Sequence, residues 1–239
     1  MVLYGDKAIV LAPTAGPTTG AYTFSFSLFE VDLTKNSSRV IKEMGDIALP
    51  PELAAGYPAA HLPGDNKMYV ILGNKDVTVS GHALYAIDMD TGNVTFTCDA
   101  KDVMALSVCP FSGKQPPGFI CGVGTGSPRG GALTVYELSP GGFQDLSQGS
   151  LDFLGPFALQ PPALAAGATS CPSAPCDTHS IHVLGIDVSD PSNQTALNSP
   201  YLLSLNFGQM DPARSTKVPF CTMAGAGLNY TCPKLLFAA

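Results

Sequence analysis

The sequence predicts an all-β domain assembled from antiparallel repeat units. Three observations carry that expectation. One phrase recurs four times: an apolar strand, a variable loop, a second apolar strand, then an acidic or amide residue and a turn. No stretch sustains a 3.6-residue apolar period with helix caps. Charged residues make up only 13% of the chain, against about 25% in ordinary domains. Gly, Pro, Ser, Thr and Ala take their place, a composition that suits short strands and turns.

The repeats run in order along the chain. The first pairs Lys7-Ala-Ile-Val-Leu11 with Ser27-Leu-Phe-Glu-Val-Asp-Leu-Thr-Lys-Asn36, around the turn-rich loop Pro13 to Gly20. The second pairs Lys67-Met-Tyr-Val-Ile-Leu-Gly73 with Ala83-Leu-Tyr-Ala-Ile-Asp-Met-Asp-Thr-Gly92. Val94 to Cys98 follows it as a further strand, and Met104 to Cys109 opens the next unit. The third pairs Gly118-Phe-Ile-Cys-Gly-Val123 with Ala132-Leu-Thr-Val-Tyr-Glu-Leu-Ser-Pro-Gly141. The fourth pairs Ser180-Ile-His-Val-Leu-Gly185 with Tyr201-Leu-Leu-Ser-Leu-Asn-Phe-Gly208. Between the last two, Leu154 to Pro175 reads as the least structured stretch, and Asp187 to Pro200 as a polar loop.

The marker residues Val31, Ile87, Val135 and Leu203 stand 56, 48 and 68 residues apart. Units of three or four strands at this spacing match propeller blades with loop insertions. The expected architecture is therefore β-propeller-like with about four blades, and a β-sandwich with long loops is the competing fold. The chain reads as one domain over 1–239, with units at about 7–49, 57–100, 103–153 and 176–215. Residues 216–239 form a tail, a hairpin or the closing strands of the first unit. Ala83 to Asn93, a strand ending in Leu-Tyr-x-Ile-Asp before a Thr-Gly turn, resembles β-propeller repeats of the quinoprotein-like and surface-layer types. The chain has no Trp, so the docking tryptophans of quinoprotein blades have no counterpart. The resemblance implies a fold and transfers no functional residue.

Cysteines and sequons point to the secretory pathway. Cys109 and Cys121 flank a Pro/Gly turn, Cys221 and Cys232 flank Gly225-Ala-Gly227, and Cys171 and Cys176 bound a short loop. These three pairs are the disulfide candidates, each worth about 2–4 kcal/mol. Cys98 is left over. Asn36, Asn93, Asn193 and Asn229 each open an Asn-x-Ser/Thr sequon, the acceptor for an N-linked glycan. The expected location is extracellular or at the cell surface. Met1 to Lys7 lacks the basic and apolar regions of a signal peptide, so the chain is expected to be a mature form or a segment of a longer one.

Residues for chemistry are sparse. The sequence has no G-x-S-x-G, G-x-x-x-x-G-K-[ST] or H-E-x-x-H motif. Gly122 to Gly126 reads as a strand-end turn. His179 and His182 have a spacing that cannot chelate locally on a strand, and His61 and His82 read as loop residues. Asp187 and Asp190, with Asn193, are weak candidates for Ca²⁺, the one cofactor considered. Asp32, Asp88, Glu137 and Asn206 fall at one point of the repeat, where capping of the following turn is the plainer role. Phe26, Phe29, Tyr69, Tyr85, Phe119 and Tyr136 read as core.

The leading functional expectation is a non-catalytic extracellular glycoprotein module with a structural, adhesive or self-assembling role. Its partners would be itself or other extracellular proteins and glycans. The alternative is a propeller-type hydrolase or lactonase using Asp88, Glu137 and a divalent metal. A net charge of −7 argues against nucleic-acid binding, and no window has the apolar length of a membrane span.

Overall fold

The computed structural model describes residues 1–15, 23–49, 57–73, 81–101, 103–109, 119–125, 131–147, 156–159, 166–168, 180–190, 192, 200–206, 216–219, 222–223 and 230–231. These residues are all-β, antiparallel and contain no helix; none of the sheets closes into a barrel.

Four sheets follow one another along the chain. The first has β1 (Val2–Tyr4), β2 (Lys7–Ala15), β3 (Thr23–Asp32) and β4 (Ser37–Ala48), in that spatial order. The second has β5 (Ala59–His61), β6 (Lys67–Gly73), β7 (His82–Asp88) and β8 (Val94–Lys101). The third begins with β9 (Val103–Cys109) and β10 (Phe119–Gly124). The chain then lends β11 (Gly131–Ala132) to the fourth sheet before completing the third with β12 (Thr134–Ser139) and β13 (Gly142–Asp145). The fourth is built from β14 (Pro156–Leu159), β15 (Ala166–Ala168), β16 (Ser180–Asp187), β17 (Pro200–Asn206) and β18 (Thr216–Pro219), with β14 and β15 both paired to β16. A hairpin of β19 (Thr222–Met223) and β20 (Tyr230–Thr231) stands apart from them.

Two expectations need correction. The stretch from Leu154 to Pro175 carries β14 and β15, whose small and apolar residues complete the inner edge of the fourth sheet. In the tail, β19 and β20 form the hairpin that was one of the expected outcomes, while β18 joins the fourth sheet through Leu202↔Val218 and Leu203↔Lys217 rather than closing the first.

The register of the two central strands is the same in every sheet. Val10↔Phe29, Val70↔Tyr85, Gly122↔Tyr136 and Val183↔Leu203 are equivalent cross-strand pairs. The next pair along points to the opposite face: Leu11↔Leu28, Ile71↔Leu84, Val123↔Val135 and Leu184↔Leu202. Side chains alternate across a strand, so each sheet has a back face carrying the first set and a front face carrying the second. Ile9, Leu11, Phe26 and Leu28 on the front of the first sheet pack with Met68, Val70, Leu72, Tyr85 and Ile87 on the back of the second. A second cluster runs from Ile71 and Leu84 on the front of the second sheet through the third to Phe157, Val183 and Leu203 of the fourth. Each fully buried aliphatic side chain contributes roughly 1.5–3 kcal/mol. The inner strands stack as well: β1 stands against β5, β5 against β9, and β9 against β15.

Gly122 replaces the aliphatic residue of the other back faces because of local crowding. A Cβ there would lie 2.7 Å from a Val103 methyl.

The outer strands of the first two sheets share a further device. Opposite Phe26/Ser27 and Leu28/Phe29, β4 carries one extra residue each, Met44 and Ile41. At the equivalent places opposite His82/Ala83 and Leu84/Tyr85, β8 carries Ala100 and Thr97. Each bulge twists the outer edge and interrupts the ladder, which hinders pairing with another chain's strand.

Candidate functional site

The recurring polar residues gather where the second central strand of each sheet runs into its turn. In the first sheet Lys7↔Asp32 closes the hairpin register, and in the second Lys67↔Asp88 does the same. The backbone confirms the equivalence: Leu33 N donates to Asp6 O at 3.0 Å, and Met89 N to Asn66 O at 3.1 Å.

Each carboxylate is engaged by its own turn. Asp32 Oδ1 accepts from Thr34 N (3.0 Å), Thr34 Oγ1 (2.6 Å) and Lys35 N (3.0 Å), while Lys35 Nζ reaches Oδ2 at 3.1 Å. The Thr34 hydroxyl and then the Lys35 N–H and ammonium hold its carboxyl well below the usual range. Asp88 Oδ1 accepts from Asp90 N (3.1 Å), Thr91 N (2.8 Å) and Thr91 Oγ1 (2.8 Å), and the Thr91 donors lower its pKa. The same Asp–Ser/Thr capping recurs at Asp145, which binds Ser147 N and Oγ, both at 2.8 Å. Asp187 binds Ser189 N at 2.9 Å and Oγ at 2.6 Å, and Asp190 binds Ser192 N at 3.0 Å and Oγ at 2.6 Å. The weak calcium candidates Asp187 and Asp190 thus have local capping work. An Asp-x-Ser/Thr spacing, visible in the sequence at all of these except Asp88, was the signal that identifies them.

The register corrects one equivalence. Glu137 sits inside β12, opposite Cys121 and Gln144. Ser139 occupies the turn position, and its Oγ donates to Gly142 O at 2.9 Å. Asn206 does hold the equivalent place in the fourth sheet, opposite Ser180. Glu137 and Asp88 therefore belong to different levels of the repeat, and among the described residues no three His, Cys, Asp or Glu side chains are grouped to hold a metal.

His61 and His82 differ from the loop placement expected of them. His82 opens β7 and is buried, its Nδ1 3.2 Å from Val103 O. His61 ends β5, packs edge-on to Tyr4 at 5.5 Å and places Nδ1 3.2 Å from Lys67 O. His182 lies in β16, and His179 falls outside the described residues.

Of the sequon asparagines, Asn36 and Asn93 lie exposed at equivalent turns, between β3 and β4 and between β7 and β8. They are one position out of step: Asn36 (φ 49°) is matched by Gly92 (φ 68°), both left-handed. Lys42 Nζ, from the first sheet, donates to Asn93 Oδ1 at 3.1 Å, a contact that involves the oxygen rather than the nitrogen a glycan would join. Asn193 and Asn229 lie outside the described residues.

Cys109 and Cys121 lie on the paired strands β9 and β10. The register sets Cys109 opposite Phe119, and Cys121 opposite Ser107, so the two cysteines are diagonal neighbours. Cys121 is fully buried and disulfide-bonded. Cys98 is a half-buried free thiol whose pKa burial raises. Cys171, Cys176, Cys221 and Cys232 are outside the described residues.

Between the first two sheets lies a small apolar cleft of about 30 Å³, lined by Met44, Ile47, Leu72, Tyr85, Ile87 and Val94. The bulge at Met44 turns its side chain into this cleft. No helix is long and apolar enough to cross a membrane among the described residues. No protein-family model matches the chain. No curated protein matches it at a significant level.

Proposed function

We propose that this chain is a non-catalytic extracellular glycoprotein module with a propeller-like succession of about four sheets and a structural, adhesive or self-assembling role. The observation that carries the reading is the use made of the recurrent polar position. Asp32 and Asp88 spend their hydrogen-bonding capacity on their own turns, so the repeat invests its acids in architecture. Exposed sequons at two equivalent turns are consistent with a glycosylated rim. The hairpin register Thr222↔Thr231 is flanked in sequence by Cys221 and Cys232, which supports pairing them as a disulfide. The doubly bulged outer edges of the first and second sheets disfavour strand addition there, which directs assembly to sheet faces.

The test is secretion of the chain behind a heterologous leader, followed by intact mass before and after glycan removal. The reading requires a loss of mass that shrinks by one glycan in each of Asn36→Gln and Asn93→Gln. A secreted, folded chain with no glycan and all thiols free would contradict it.

A further inference from the structure

We infer that the back face of the first sheet is a docking surface for the front face of the fourth sheet of a second copy of this chain, giving head-to-tail assembly. The inference deepens the self-assembly reading above and rests on it.

The register frame shows what a back face needs. The back-face pair of the second sheet, Val70 and Tyr85, is 0% and 6% exposed under the front of the first sheet. That of the fourth, Val183 and Leu203, is 0% exposed in the cluster it shares with the third. The equivalent pair on the first sheet, Val10 and Phe29, is only half-buried. Around it the same face carries Leu3, opposite Ala8, and Val40, opposite Phe29; these are 48% and 49% exposed. Ala8, Val31 and Ala12 continue the face, which turns polar at Ser38 opposite Val31 and at Ser27 and Glu43 beyond Ala12, so its apolar part is centred on Val10, Phe29, Val40 and Leu3.

The occupant follows from the interface already repeated inside the chain. Every covered back face is met by a front face whose central pair is aliphatic: Leu11/Leu28, Ile71/Leu84 and Val123/Val135, each residue at most 3% exposed. The fourth front face continues the series at Leu202, which is half-buried rather than sealed. Among the described strands, the fourth sheet makes no contact with the first comparable to those between successive sheets. Among the described residues, the first back face and the fourth front face at Leu202 are the incompletely buried ends of the series, two different surfaces of matching apolar character. Pairing them between copies is heterologous and propagates into rings or filaments.

The test uses the secreted full chain, in light scattering across a concentration series. Val40→Asp and Leu3→Asp place charge on exposed back-face positions that tolerate it; Leu202→Asp does so on the front face, with Leu202→Gln as a gentler companion. Circular dichroism confirms folding of each. The wild-type mass is expected to rise with concentration, and each variant to remain a monomer. A 1:1 mixture of a back-face and a front-face variant keeps one intact interface, so it is expected to stop at twice the monomer mass. Oligomers indifferent to both substitutions would overturn the faces assigned here while leaving self-assembly standing. A wild-type monomer at every concentration would overturn both.

Discussion

The first and second sheets are two copies of one design, and they differ most where their neighbours differ. Lys7 and Lys67, Val10 and Val70, Phe29 and Tyr85, and Asp32 and Asp88 occupy matching register positions. Both outer strands carry two bulges at matching places. On the back face, however, Met68 and Leu72 of the second sheet correspond to Ala8 and Ala12 of the first. Large side chains stand where a preceding sheet fills the space, and small ones where none of the described strands does. The backbone plan is thus local to each repeat, whereas burial is a property of the stack.

Truncation at matched faces separates the two sheets most strongly. Leu84→Ala, in the interior between the second and third sheets, is expected to cost about 2–5 kcal/mol. Val10→Ala, on the open back face, is expected to cost less than half as much in the monomer. Chemical denaturation of both variants measures the gap, and equal losses would mean the first back face is as sealed as the interior.

A smaller effect sharpens the turn equivalence. Gly92 has φ 68°, and a Cβ there would lie 2.7 Å from the Lys42 Cβ. Gly92→Ala is expected to destabilise by about 1–3 kcal/mol, while Asn36→Gly, at the matching left-handed position, should shift stability by less than about 0.5 kcal/mol. Thermal melts of the unglycosylated proteins compare them.

The smallest difference is electrostatic and confined to the first sheet. Glu30 accepts from Arg39 (Nε and Nη2, both 3.0 Å) and Lys7 (Nζ, 3.0 Å), and these contacts, Arg39 first, lower its pKa to about 2. Ala86 holds the matching position in the second sheet. The folded-state pKa is depressed, so the stabilisation is present above the ordinary value of 4.5 and is lost as pH falls from 4.5 towards 2. Glu30→Gln is expected to flatten stability against pH in that window, slightly and in a salt-sensitive manner, since the group is near solvent.

The central strands were legible because they are short apolar runs bounded by turn residues: Lys67–Gly73 and His82–Asp88 fall almost where the sequence placed them. The outer strands were not. In β4 the bulges put Ile41, Met44 and Ile47 on the core side three residues apart, which erases the two-residue period. β1, β14 and β15 are three or four residues long and hold together only through partners elsewhere in the chain. At the candidate site, the turn aspartates were visible by spacing, but Glu137 was placed two positions from its true level. Strand register is set by pairing across the sheet, and Ser139 ends its strand as well as an acid would.

Everything above depends on the register shared by the four sheets, and backbone NOEs across the four central strand pairs in a deuterated sample read it out. Contacts are expected between Val10 and Phe29, Val70 and Tyr85, Gly122 and Tyr136, and Val183 and Leu203. A one-residue slip in any sheet would exchange its front and back faces and contradict the common frame.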